Sequence, residues 1–404
     1  MKNLVPLFLA LLFLAGGAAA SWVLLQAMGE AADGAGTRGA REALEASRAG
    51  EVRLAPVVEV AAEATAAASA EVDPCILRND EGILALERGD YEEAVSHFEF
   101  CIRTCPDEPA YRANLAEACG RLAVRLHQSE REVERARAIP LLRRAVELAP
   151  ERTLPRTLLE RWERVAEAED GFERVLTEHF EVVYEFDRDE VRSEIDSIGV
   201  LLEDAYLEFG EAFASFPVEG GRRRIRVVLY TREEFDAVTG VEDWVGGIFD
   251  GTIRVPVASL TEELPRVSRV LRHELLHAFV DHVGGSEVPG WLNEGLAQLL
   301  ETRSTSIREA AINHARRRLK GTRLFELERL AGSLAGWSDA DEVGRAYSQA
   351  IALVGSIHDQ YGERILFEMI SGCAQGQSPE VTFRSRIGLD LAVLVNDLQA
   401  ELDR

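Results

Sequence analysis

Cysteine and lysine are scarce in this chain of 404 residues, and positive charge is outnumbered by negative. Five cysteines are too few for a disulfide-dense mini-protein, and they lack the paired CxxC spacing of a zinc module. Lysine occurs only at Lys2 and Lys320, so nearly all cationic charge is arginine, a chain-wide habit of composition rather than a local signal. Against 45 Lys+Arg stand 70 Asp+Glu, a net charge of −25. Such a chain repels polyanions, which excludes nucleic acid as a partner. What is present is apolar material: 47% hydrophobic residues suffice for ordinary cores, and the length fits two or three domains.

Charge is also missing from the amino terminus. Lys2 is the only charged residue before Glu30, and the run from Leu4 to Leu14 is almost wholly apolar, followed by Gly16-Gly17-Ala18-Ala19-Ala20-Ser21. This is the layout of a secretory signal, with Ala18 and Ala20 as small residues for cleavage. The uncharged stretch continues through Trp22, Val23, Leu24, Leu25 and Met28, long enough to cross the roughly 30 Å hydrocarbon core as one helix. Residues 1–28 therefore read as a signal peptide or a membrane anchor. Either one places the rest of the chain outside the cytoplasm, periplasmic or tethered to the membrane by this helix. No cysteine lies near the small residues, which excludes a lipid-modified cysteine there. Residues 29–72, rich in Ala, Glu, Gly and Ser, cannot bury enough surface to offset their ordering entropy and read as a flexible linker.

A repeated spacing follows. Ala94, Phe98, Cys101 and Pro106 recur in the same steps as Ala138, Leu142, Ala145 and Pro150, each set preceded by a helical stretch. The small residues let neighbouring helices approach closely, and the prolines end each unit. This resembles the tetratricopeptide repeat, with polar residues around Gln128 to Arg135 inserted between the helices of the second copy. A further helix from Arg156 to Ala168 would cover the exposed apolar face. Residues 73–170 are thus expected to be an all-α docking unit for a substrate or a protein partner. Four cysteines fall here. In an antiparallel hairpin Cys75 meets Cys105, and Cys101 and Cys119 lie on adjoining helices, so two bridges or buried free thiols are both compatible with the spacing; Cys373 has no partner.

From Gly171 the pattern changes. Phe180–Tyr184 and Ile225–Tyr230 alternate like strands around a long amphipathic helix, roughly Asp189 to Phe213, and Ile248-Phe249, Asp250-Gly251 and Ile253–Val255 suggest a hairpin. A helix beginning near Thr261 and ending at Gly284-Gly285 contains His273-Glu274-Leu275-Leu276-His277. Residues four apart share a helix face, so both imidazoles can point at one ion while Glu274 reaches a water on it. Beyond the loop from Gly284 to Gly290 the chain reads Trp291-Leu292-Asn293-Glu294-Gly295-Leu296-Ala297. A catalytic zinc takes three protein ligands and keeps a fourth position open, and Glu294 on a second helix completes a His2Glu set with His273 and His277.

These motifs resemble the gluzincin metallopeptidases, most closely the peptidase MA-like domains, with the Trp291–Ala297 segment also similar to the M1 aminopeptidases. The resemblance covers residues 171–404 and implies an α+β zincin-like fold, a Zn2+ cofactor and peptide-bond hydrolysis with Glu274 as the proton acceptor. It also implies a tyrosine on a later helix that steadies the developing oxyanion. Tyr347, in Arg345-Ala346-Tyr347-Ser348-Gln349, is the candidate. Two departures matter. Where the aminopeptidases carry a glutamate-bearing GAMEN segment, this chain reads Gly246-Gly247-Ile248-Phe249-Asp250-Gly251, which favours internal cleavage over amino-terminal trimming. Where thermolysin-like members place an acid four residues after the third ligand, this chain has Gln298, so the histidines must be held otherwise. Asp281 is either such a holder or a surface carboxylate. The strand around Gly247 to Phe249 offers an edge to an extended substrate. The reading from another class is a cell-envelope scaffold in which the repeats act and the zincin-like domain is structural.

Overall fold

A computed structural model describes residues 73–129, 131–186, 188–218, 224–240, 246–334, 337 and 339–404. The expected signal or anchor (1–28) and linker (29–72) lie outside the described residues. Among the described residues no helix is long and apolar enough to cross a membrane. They divide into two compact units, 73–168 and 169–404.

The first unit is all helical: α1 (Pro74–Arg88), α2 (Tyr91–Thr104), α3 (Pro109–His127), α4 (Glu132–Arg135), α5 (Ala138–Leu148) and α6 (Thr153–Ala168). Asp73 caps α1, accepting from the backbone N–H of Cys75, and Pro74 fills the first helical position, where no N–H is needed. Ala94, Phe98, Cys101, Ala138, Leu142 and Ala145, the positions of the repeated spacing, are all buried. The polar insertion forms the single turn of α4, where the Ser129 hydroxyl donates to Glu134. Leu158 and Leu159 of α6 pack with Ala123 and Leu142, and Trp162 stacks on His127.

A disulfide joins Cys75 to Cys105, so the start of α1 lies beside the end of α2. The second bridge does not form. Cys101 and Cys119 are buried free thiols, because Cys101 turns toward Cys75 and Tyr111 and donates to the Cys75 carbonyl, whereas Cys119 packs with Phe98 and Leu115 in a different cluster. Cys373 is also a buried thiol.

The second unit carries β1 (Glu173–Leu176), β2 (Phe180–Tyr184), α7 (Arg188–Phe213), β3 (Ile225–Tyr230), α8 (Arg232–Thr239), β4 (Ile248–Phe249), β5 (Ile253–Pro256) and α9 (Leu260–Gly284). Then come α10 (Gly290–Leu300), α11 (Thr305–Leu319), α12 (Ala340–Tyr361), α13 (Arg364–Cys373), α14 (Pro379–Ile387) and α15 (Leu391–Leu402). The strand order is β1-β2-β3-β5-β4. β2, β3 and β5 are parallel, which requires crossovers such as α7, and β1 and β4 flank them antiparallel. Val182, Val227, Leu229, Ile253 and Val255 join Ile198, Leu202 and Phe209 of α7 and Leu271, Leu275 and Phe279 of α9 in one core. Each such side chain contributes roughly 1.5–3 kcal/mol on burial.

Two contacts place the later helices. Gly295 lets α10 lie directly on α12: a methyl group there would stand 2.5 Å from Val354 Cγ2 and 2.6 Å from the Ala350 carbonyl. Arg272, buried on the far side of α9, donates to both carboxylate oxygens of Glu208 on α7 and to the carbonyl of Leu300 at the end of α10.

Candidate active site

α9 begins at Leu260, where Ser259 accepts from the Glu262 N–H and Glu262 and Glu263 occupy the positive end of the helix dipole. Its apolar stripe faces the core, which leaves His273 and His277 on the adjoining face with ring centroids 4.9 Å apart. α10 brings Glu294 to them. The nearer Glu294 oxygen lies 3.5 Å from His273 Nε2 and 3.7 Å from His277 Nε2, and the three donor atoms all lie within 4.8 Å of one another. Ligands about 2.1 Å from a tetrahedral ion stand about 3.4 Å apart. Two neutral-capable imidazoles and a carboxylate at these separations therefore fit a zinc ion. One other triad among the described residues, Asp73, Cys75 and Cys105, has its sulfurs committed to the disulfide.

Each imidazole is held from behind. His273 Nδ1 donates to Glu301, at 3.0 Å, and His277 Nδ1 to the side-chain oxygen of Asn293, at 2.8 Å. With Nδ1 engaged from behind, each Nε2 faces the common point, the orientation that ligation needs. Neither residue is marked by the spacing of the two motifs. Asn293 precedes Glu294 in the Trp291–Ala297 motif, while Glu301 follows Glu294 by seven residues, two helical turns, and so shares its face. Asp281 is not a hydrogen-bond partner of His277, whose Nδ1 is taken by Asn293; it is a half-buried carboxylic acid whose pKa burial raises to about 6. Gln298 ties two helices, its amide donating to the carbonyls of Glu294 and of Tyr347 on α12.

The electrostatics separate the groups. Burial favours neutral His273, but hydrogen bonds to Glu294 and Glu301 outweigh it and raise its pKa to about 10. Burial dominates at His277, which is lowered. Burial would lift Glu294, yet the charges of His277 and His273 and the bond from His273 hold it below the usual carboxylate range. Glu274, 5% exposed, is raised to about 8, first by burial; His273 opposes this, and Glu294, Glu301 and Asp250 add to it. A carboxyl poised near neutrality can take and return a proton. Tyr347 is half-buried on α12, about two turns on from Ala340. Burial, reinforced by Glu294 and Glu274, pushes its phenol well above the ordinary value, so it stays a donor.

β4 closes the site on the sheet side. Gly247, just before the strand, lies so near α9 that an added methyl group would stand 2.6 Å from Val270 Cγ1 and 3.1 Å from a carboxylate oxygen of Glu274.

Residues 221–403 match the family model of the Peptidase MA superfamily, a segment that contains β3 to α15 and every residue of the site. No curated protein matches the chain. The carboxy-terminal part of this chain is thus similar to the Peptidase MA superfamily, and a separate set of helices lies upstream of it in the sequence.

Proposed function

We propose that the protein is an exported, membrane-tethered zinc metallopeptidase that cleaves peptide bonds internally, with tetratricopeptide-like helices docking the substrate or a protein partner. The observation that carries this reading is the convergence of His273, His277 and Glu294 on one point, each imidazole held from behind through Nδ1. His273, His277 and Glu294 would hold the ion, which when bound polarises the scissile carbonyl and acidifies water. Glu274 takes the proton of the attacking water and passes it to the leaving amine. The Tyr347 hydroxyl donates to the carbonyl oxygen as negative charge develops there. An extended substrate lies along β4, beside Glu274.

Export is supported by the Cys75–Cys105 disulfide, which persists in oxidising compartments, and by the apolar residues 1–28. A proteomic comparison of envelope fractions bearing wild-type or Glu274→Gln protein tests function and location together. Proteins that accumulate uncut only with the variant are the expected substrates. Identical proteomes, or recovery of the protein in the cytoplasm, would count against the reading.

A further inference from the structure

The helix-facing side of the sheet is apolar, but its opposite face is not. There, beside Val183 and Val228, stand Glu181, Arg226, Tyr230 and Arg254, with Glu181, Tyr230 and Arg254 buried. Arg254 on β5 pairs directly with Ile248 of β4 and lies 3.4 Å from Asp250, at the hairpin tip. Its Nη1 donates to the Tyr230 hydroxyl, at 2.6 Å, and stands 3.5 Å from Glu169. Tyr230 in turn donates to Glu169, which Arg226 grips through both carboxylate oxygens.

This arrangement serves a strand that cannot hold itself. β4 has two residues and two cross-strand pairs, too little for independent stability. Through Asp250 the guanidinium fixes the hairpin tip to β3 and, through Tyr230 and Glu169, to the start of the unit. Gly247 at the other end of the short strand lies against Glu274, so a shift of the hairpin alters the distance between a bound chain and the proton acceptor. We propose that Arg254 is the positioning residue for the strand that receives the substrate. The proposal rests on the peptidase reading and on β4 as the substrate strand.

The test uses full-length Arg254→Met, Arg254→Lys and Asp250→Asn, each assayed on a long unfolded polypeptide that spans β4 and on a short blocked dipeptide amide that does not. For the long substrate kcat/KM should fall about tenfold in Arg254→Met and Asp250→Asn, with zinc per chain unchanged. The short substrate should be cleaved as by wild type, and Arg254→Lys, which keeps the charge without the fork, should fall between. Equal losses on both substrates, or loss of zinc, would assign Arg254 a merely structural role and overturn the proposal. So would an unchanged kcat/KM for the long substrate in folded variants. Removing the arginine withdraws a buried positive charge from between Asp250 and Glu169; if that variant does not fold, Asp250→Asn decides. A wild-type protein that cleaves neither substrate rejects the peptidase reading. Hydrogen exchange at the Gly247–Phe249 amides then judges the tether alone, where faster exchange in the variants upholds it and unchanged exchange refutes it.

Discussion

His273 Nδ1 lies 3.0 Å from a carboxylate oxygen of Glu301, the residue that caps the end of the helix bearing Glu294. One short helix thus supplies both a group facing the ion position and the group that aims the imidazole at it. Glu301 is itself steadied by Arg269, 3.5 Å away, and its place is fixed by the bond from Arg272 to the preceding carbonyl of Leu300.

Glu301→Gln keeps an acceptor but removes the charge behind His273. Zinc affinity should fall about 10- to 100-fold, read by competition with a chromogenic chelator, while the fold by circular dichroism stays the same. Wild-type affinity in this variant would show that His273 needs no anionic support.

Tyr347→Phe removes a hydroxyl and nothing of the packing. With the phenol as oxyanion donor, kcat should drop about 10²- to 10³-fold with zinc content and KM little changed. A variant as active as wild type would return Tyr347 to the half-buried packing role its position also allows.

Asp281 supplies a pH signature. Its acid is raised from 3.8 to about 6 by burial, so the folded protein holds this proton more tightly than the unfolded chain. The associated stability is present below pH 3.8 and lost as pH rises through about 6. Asp281→Asn escapes that loss and should be more stable than wild type above pH 6 by on the order of 1–3 kcal/mol, with the difference closing toward pH 4. Urea unfolding at the two pH values checks it; a difference independent of pH would contradict the assignment.

The disulfide closes a 30-residue separation within the helical unit. Replacing Cys75 and Cys105 by alanine should cost about 2–4 kcal/mol of that unit's stability, measured by its thermal transition. Mass spectrometry of the native protein should find Cys101, Cys119 and Cys373 unmodified by alkylating agents until it is unfolded. A bridge involving Cys101 or Cys119 would contradict the packing described.

Much of this was legible in the sequence, for reasons that also mark where legibility ends. Phe180–Tyr184, Ile225–Tyr230 and the helix around His273 announce themselves by period, and a helix spaces His273 and His277 toward one point regardless of what surrounds them. Non-local choices left no such trace. The sheet order depends on which strands meet, and a two-residue strand such as β4 shows no alternation from which to read its partner. Cys101 and Cys119 have a spacing compatible with a bridge, yet side-chain packing sends them into separate clusters. Arg254 looks like an ordinary strand residue until Asp250, Tyr230 and Glu169 are folded around it. Glu301 stands two helical turns from Glu294, a period the sequence does carry, but period alone does not tell a carboxylate behind His273 from one on the surface.

The most direct test of the account is zinc content and peptide hydrolysis measured side by side on purified wild-type and Glu274→Gln protein. The account predicts about one zinc per chain in both, cleavage of an unfolded protein by the wild type, and a loss of about 10²- to 10⁴-fold in the variant. A zinc-loaded wild type that cleaves nothing, or a variant as active as the wild type, would contradict it.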